Sequence, residues 1–423
     1  IYLTRINCIF KGLSIVESFN QHITEQKNTH MTHIEDKVIY GGVNGTRQAI
    51  LALRELRKML GGEKDGNVSV KWDGAPAIFA GTDPSDGQFF VAKKGIFNKN
   101  PKVYKSAADV DADTSGDLAL KLKDALKYLP SLGIKGVIQG DFLFSKSDIS
   151  KRKIKGESYV TFHPNTIMYA VPAGTAPAKD ITSAQMGIVW HTTYTGKTFE
   201  TMRASYGVDV SKFKKSRAVW SQDAMLKDMT NLTMTKKDTQ LVDSYLSQAG
   251  VMFNKISGTT LRQLESNPQL AQMIETYNNS FVRKGQIIGN TAAHVNGLIL
   301  NIRKKFAKTA SQRSTAAGRG AQLTKRNEML KFFSPANKKS LKLMFDLQKI
   351  IVLAKLKIIN ILNRLSNVNT FVKTRTGYKT TGPEGYVAID RLGGDAVKIV
   401  DRMEFSYNNF SPDILKGWDK PGR

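Results

Sequence analysis

The 423-residue chain is long enough for one large domain or two to three ordinary ones, and its 41% hydrophobic content is that of a globular protein. A formal net charge of +27 calls for a polyanionic partner, nucleic acid before membrane. The single cysteine, Cys8, excludes a disulfide framework and a cysteine-based zinc site, and no apolar run reaches the ~18 residues of a membrane span.

Residues 1–13 carry an early basic residue, Arg5, and a short apolar run. Asn7 and Lys11 interrupt that run and no small-residue cleavage site follows, so no signal peptide is expected. Residues 14–40 read as a polar helical arm, with His30 and His33 one turn apart as a solvated or partner-facing pair rather than a metal pair. Gly41-Gly42-Val43-Asn44-Gly45 opens a helix whose Ala49, Leu53, Leu56 and Leu60 share one face, and Gly61-Gly62 ends it. The glycines are not a P-loop, since no Gly-Lys-Ser/Thr follows at the required spacing.

A β-branched strand, Asn67-Val68-Ser69-Val70-Lys71, then runs into Trp72-Asp73-Gly74-Ala75-Pro76. Further strands are expected over 77–80, 88–92, 136–144, 159–162, 167–171 and 186–192, with an amphipathic helix over 117–129. From about 204 to 374 the texture is helical, with helices expected at 239–248, 259–277, 280–309 and 335–366 and a mobile loop at 311–320. The most apolar stretch, 341–362, is interrupted by Lys342, Asp346, Lys349, Lys355 and Lys357. Residues 283–374 hold nineteen Lys/Arg against two acids, Glu328 and Asp346, a local net of +17, and Lys338, Lys342 and Lys349 fall on one helical face. A one-sign stripe of this size is expected to meet phosphate, so this region is read as the nucleic-acid contact. Strand-type sequence returns at 382–390 and 395–401.

Lys71-Trp72-Asp73-Gly74 resembles motif I of the covalent nucleotidyltransferases: DNA ligases, RNA ligases and mRNA capping enzymes. An ordinary lysine titrates near ~10.4, so a nucleophilic one needs a site that disfavours its charge. Candidates for the partner motifs follow in the superfamily's order. Lys93-Lys94-Gly95 stands where a cleft-lining basic residue is usual, with Lys94 the candidate. Gln139-Gly140-Asp141 resembles motif III, with Asp in place of the more usual Glu. Tyr169, in Thr166-Ile167-Met168-Tyr169-Ala170-Val171, resembles the aromatic residue that stacks on the base, and Gly187-Ile188-Val189-Trp190-His191-Thr192 is a rival strand. Glu384-Gly385-Tyr386-Val387 resembles motif IV and Val397-Lys398-Ile399-Val400 resembles motif V, though Val400 stands where a second lysine is common.

The resemblance implies an α+β ligase-type nucleotidyltransferase core, two antiparallel sheets around a nucleotide cleft, with a large basic helical insertion. The expected division is an arm (1–40), a first core part (41–203), the insertion (204–374) and a last core part bearing motifs IV and V (375–423). Lys71 would be the nucleophile and Lys398 would neutralise the α-phosphate and leaving pyrophosphate of ATP. Gly74 would let the backbone approach the ligand. Asp73 and Asp141 would hold the lysine, the ribose or a metal, and Glu384, with Asp141, would bind Mg²⁺. Arg402 would take over the triphosphate contact that Val400 cannot make.

The implied activity is that of an ATP-dependent polynucleotide ligase or adenylyltransferase. One alternative is a nucleic-acid-binding or virion-internal protein that keeps the fold with little or no chemistry. A GTP-using guanylyltransferase is disfavoured, because 402–423 is too short for an appended OB-fold. Glu17-Ser18-Phe19 and Glu25-Gln26-Lys27-Asn28-Thr29-His30 resemble the amino-terminal stretch of proteins from contractile-tailed phages of marine bacteria. That similarity implies the cytoplasm of an infected host, or the virion.

Overall fold

Two apolar rhythms, period two in the strands and 3.6 in the helices, sort the chain into sheets and a helical layer. The structure is a computed structural model that describes residues 32–63, 67–226, 234–365, 368–389 and 396–419. Most of the expected arm, 14–31 with His30, lies outside the described residues.

In chain order, α1 (Lys37–Tyr40) and α2 (Gly42–Leu60) precede β1 (Asn67–Lys71), β2 (Ala77–Thr82), β3 (Phe89–Ala92) and β4 (Val103–Tyr104). Next come α3 (Ala107–Asp113), α4 (Gly116–Tyr128), β5 (Val137–Ser145), β6 (Ser150–Ile154), β7 (Glu157–Phe162) and β8 (Ile167–Pro172). Then follow α5 (Ala176–Ser183), β9 (Met186–Thr195), β10 (Arg203–Tyr206) and β11 (Val219–Asp223). The helical block is α6 (Lys236–Lys255), α7 (Gly258–Glu265), α8 (Pro268–Arg283), α9 (Thr291–Ser311), α10 (Ala316–Lys331) and α11 (Pro335–Leu362). β12 (Asn369–Thr374), β13 (Gly377–Thr380), β14 (Gly385–Ile389), β15 (Ala396–Ile399), α12 (Arg402–Phe410) and β16 (Ile414–Leu415) complete the described elements.

The fold is α+β, with three sheets among the described residues rather than two. The first has the order β1-β14-β15. The second runs β10-β9-β5-β2-β3-β4, with β11 added to β9 as a parallel strand, and the third runs β13-β12-β8-β7-β6, with β16 on β12. All other pairings of named strands are antiparallel.

Strand alternation explains how the first sheet is covered. Val68 of β1, Tyr386 and Ala388 of β14 and Val397 and Ile399 of β15 are buried in one cluster with Ile34, Leu53, Ile351 and Ile358. Burying each such aliphatic chain stabilises by about 1.5–3 kcal/mol. The helices therefore share a core with the strands that bear the motifs, and lifting the block off would bare one face of the first sheet. α2 also belongs to this core, with Ala49, Leu53, Leu56 and Leu60 all buried there.

The bounds of the block shift too. β10, β11 and β12 lie within 204–374, so the helical part is 236–362. The helix expected over 259–277 is broken at Asn267-Pro268, where the Asn267 side chain accepts from the Leu270 amide and proline takes the first turn. The loop expected at 311–320 is helical from Ala316, capped by the Thr315 hydroxyl, which accepts from the Gly318 amide at 3.1 Å. Its Ser/Thr content marked a helix start rather than a mobile loop. No helix among the described residues is long and apolar enough to cross a membrane.

Candidate active site

Register and parity assemble the site. On β1 the residues alternate to Val68 and Val70 on the helix side and Ser69 and Lys71 on the other. Lys71 is registered against Gly385, and Lys398 against Val387. Lys71 and Lys398 thus lie on the same face of the first sheet, the one turned away from the helical core, and Glu384 stands at the mouth of β14. The Lys71 ammonium donates to Glu384 Oε2. The Lys71 side chain is 28% exposed and that of Glu384 only 9%. Burial pushes the Glu384 carboxyl up, against the pull of the Lys71 charge. Burial, with the Lys71 charge second, pushes the Lys398 ammonium down, and its Nζ sits 5.5 Å from the Phe405 ring centre.

Beyond Lys71 the chain crosses to the other two sheets, and Asp73 fastens the crossing. Its carboxylate accepts from Asn165 Nδ2 at 2.7 Å and from the Thr166 and Ile167 amides at 2.8 Å each, while its own amide donates to the Tyr169 hydroxyl at 2.6 Å. Burial raises the Asp73 carboxyl and the two backbone bonds oppose that rise. Asp73 is buried and used, so the expectation that it holds a ligand or metal is corrected to a structural role.

Tyr169 is likewise no base platform. It is 1% exposed, with Trp72 at 4.7 Å on one side and Phe162 stacked at 5.4 Å. On the rival strand Trp190 is fully buried, and alternation turns His191 the other way, where its Nε2 lies 3.8 Å from Asp141 Oδ2. His191, on the rival strand, is a partly exposed ring beside the site, as the parity of a buried Trp190 requires.

Gly74 is explained by packing rather than ligand approach. A Cβ there would come within 2.7 Å of Asp141 Cβ and 2.8 Å of the Phe142 carbonyl. The same contact places Asp141 beside the motif I turn, with a side chain 23% exposed. Gly385 has φ +155° and packs so closely that a Cβ would meet Val400 Cγ2 at 2.4 Å, which fixes the Glu-Gly pair in this geometry.

Two candidates stand apart. Arg402 is locked in a buried ion pair, its Nη1 donating to both Asp36 oxygens at 3.0 and 2.9 Å, with Glu35 3.5 Å away. The phosphate contact expected of it is thereby corrected: Asp36, close in the fold but invisible from spacing, already holds the guanidinium. Lys94 is exposed on the turn Lys94–Phe97 after β3, with no described contact to Lys71, Glu384 or Lys398. Its neighbour Lys93 pairs with Asp113 at 3.0 Å.

Among the described residues no group of three His, Cys, Asp or Glu side chains could hold a metal by itself. Mg²⁺ takes one or two carboxylates and fills its shell with water and phosphate oxygens, so Asp141 and Glu384 are the carboxylates beside Lys71 and its turn that such an ion could use.

The fold and site thus define a mixed α+β protein with a lysine–carboxylate pair and a second lysine at one face of a three-stranded sheet. Residues 28–413 match the model of a family of unknown function, DUF6267, and the chain belongs to that family. No curated protein and no solved structure matches it.

Proposed function

We propose that the protein is an ATP-dependent nucleotidyltransferase that loads AMP onto Lys71 and passes it to a polynucleotide 5′-phosphate, as a ligase or adenylyltransferase. One observation carries this reading. Lys71 and Lys398, drawn from two motifs in the superfamily's order, lie on one face of one three-stranded sheet, and Glu384 of a third, at the mouth of β14, bonds to Lys71.

In the first step the Lys71 amine attacks the α-phosphorus of ATP. An N–P bond forms, the P–O bond to pyrophosphate breaks, and pyrophosphate leaves with the electron pair. Glu384, already bonded to the ammonium, is placed to take its proton. Lys398 opposes the charge that develops on the phosphates. Glu384 and Asp141 are the carboxylates that would hold Mg²⁺, which supplies charge neutralisation at the phosphates. In the second step a 5′-phosphate oxygen attacks the same phosphorus and the N–P bond breaks, returning lysine. A 3′-hydroxyl then displaces AMP.

A second reading, a nucleic-acid-binding protein of this fold with weak transfer, is favoured by one feature. Val400 is buried and Arg402 is held by Asp36, so the motif V strand offers a single cation, Lys398. Incubation with α-labelled ATP and Mg²⁺ followed by a denaturing gel decides between them. The transferase reading expects label on the wild type and none on Lys71→Ala. Undiminished label on that variant removes the reading, and no label on either favours the second.

A further inference from the structure

The stretch 283–374 has one sign of charge in sequence, and the structure divides it. Lys355 is buried against Glu35 at 2.7 Å, and Lys357 and Arg364 flank Asp238 at 2.6 and 3.2 Å. Lys342 pairs with Asp346 at 2.9 Å, and Lys349 donates to the Gly289 carbonyl at 3.1 Å. Lys349, Lys355, Lys357 and Arg364 thus tie elements together, and Lys342 is neutralised within its own helix.

The excess gathers instead on the hairpin of α9 and α10. Residues 300–331 hold nine Lys/Arg and one acid, Glu328. Arg303, Lys304 and Lys308 of α9 and Arg319, Lys325 and Lys331 of α10 are all exposed. Among the described residues Glu328, bonded to Lys331 at 2.7 Å, is the only carboxylate paired with any of the nine.

The hairpin is anchored by one side only. α9 buries Val295, Leu298, Ile302, Phe306 and Ala310 at helical spacing. α10 buries Met329 alone, contains Gly318 and Gly320, and leans chiefly on α9. Each helical glycine costs about 1 kcal/mol relative to alanine, and the cations of the two helices repel. A polyanion laid along the hairpin would relieve that repulsion.

The kind of polyanion follows from what the surface lacks. Phe306 and His294 carry the only rings in 291–331 and both are buried, so no ring is offered to unstacked bases. Leu300 and Leu323 are the large apolar side chains exposed there, too few for the broad apolar face of a membrane-surface helix. α9, with 21 residues, is about 31 Å long, close to one turn of duplex. We propose that the α9–α10 hairpin binds duplex nucleic acid through its phosphate backbone, without sequence preference. The inference stands on the hairpin's charge and shape. Only the identification of the bound duplex as the AMP acceptor rests on the reading of Lys71.

The test is fluorescence anisotropy of the full chain with a mixed-sequence duplex, without ATP, so that its outcome is independent of the labelling assay. With about six phosphate contacts, affinity should fall roughly a thousandfold between 50 and 200 mM salt. The variant Lys304→Gln/Lys308→Gln/Arg319→Gln/Lys325→Gln, checked for an unchanged melting temperature, should bind at least ~10-fold more weakly, with a salt slope shallower by about 3–4. Lys304→Arg/Lys308→Arg/Lys325→Arg should bind like the wild type. A flat salt response, or equal affinity of the wild type and the quadruple variant, overturns the proposal. So does tighter binding of a single strand of the same length, or binding to phosphatidylserine vesicles in place of duplex.

Discussion

Lys71 and Glu384 are 313 residues apart in the chain and share a hydrogen bond across the first sheet, with Lys71 in register with Gly385. In the proposed reaction, this pair sets the proton acceptor beside the amine that must lose its proton. Glu384→Gln should therefore slow AMP labelling by about 100-fold, the lower range of general-base contributions. Burial raises the Glu384 carboxyl, and a base acts only when ionised. The wild-type rate should accordingly fall with decreasing pH at values above those of an ordinary glutamate, and the Gln variant should lose that limb. Pre-steady-state labelling across pH measures both effects.

Asp73→Ala should destabilise the protein by about 3 kcal/mol or more, because it leaves the Asn165 side chain and two buried amides without their acceptor. Denaturant unfolding reads this directly. A variant as stable as the wild type would return Asp73 to the list of ligand-binding groups.

Arg402→Met should cost about 3–5 kcal/mol by stranding Asp36, and Asp36→Leu should cost a similar amount. The double variant should cost less than the sum, by at least ~1 kcal/mol. At a temperature where all three are folded, the ATP concentration for half-maximal labelling should stay within about twofold of the wild type, whereas a lost phosphate contact of ~1.4 kcal/mol would raise it about tenfold.

His294 is 3% exposed, with Nε2 2.8 Å from Asn278 Oδ1 and with Tyr277, Phe281 and Phe345 around its ring. Burial lowers it from 6.5 to about 4. The unfolded chain therefore takes up this proton first, and the stability tied to neutral His294 is complete above pH 6.5 and lost as pH falls towards 4. Between pH 6.5 and 4.5 the wild type should lose about 1–2 kcal/mol relative to His294→Gln. Parallel melts of the two proteins across that range test the difference.

Much of the local structure is legible from periodicity. The stripe Ala49, Leu53, Leu56, Leu60 and the alternating strands appear where the pattern puts them. The order of the motifs also anticipates that Lys71, Glu384 and Lys398 are neighbours. What residue types could not tell is which side chains are covered. Tyr169 and Asp73 look like ligand groups until their partners, Trp72, Phe162, Asn165 and the start of β8, are in place. Arg402 looks free until Asp36 is brought to it from 366 residues away. Residue types also could not tell that Ile351 and Ile358 share one buried cluster with Tyr386 and Ile399, which joins the helical layer to the first sheet.

The pairing of β1 with β14 also has a meaning in time. When β1 leaves the ribosome its strand partner in the first sheet, β14, has not been made. At roughly 5–20 residues per second the 313 residues that separate Lys71 from Glu384 take on the order of 15 to 60 s to synthesise. Throughout that interval Lys71 lacks both the carboxylate and the second lysine. On the proposed reading, the growing chain is chemically silent at this position until the far strands have closed the sheet.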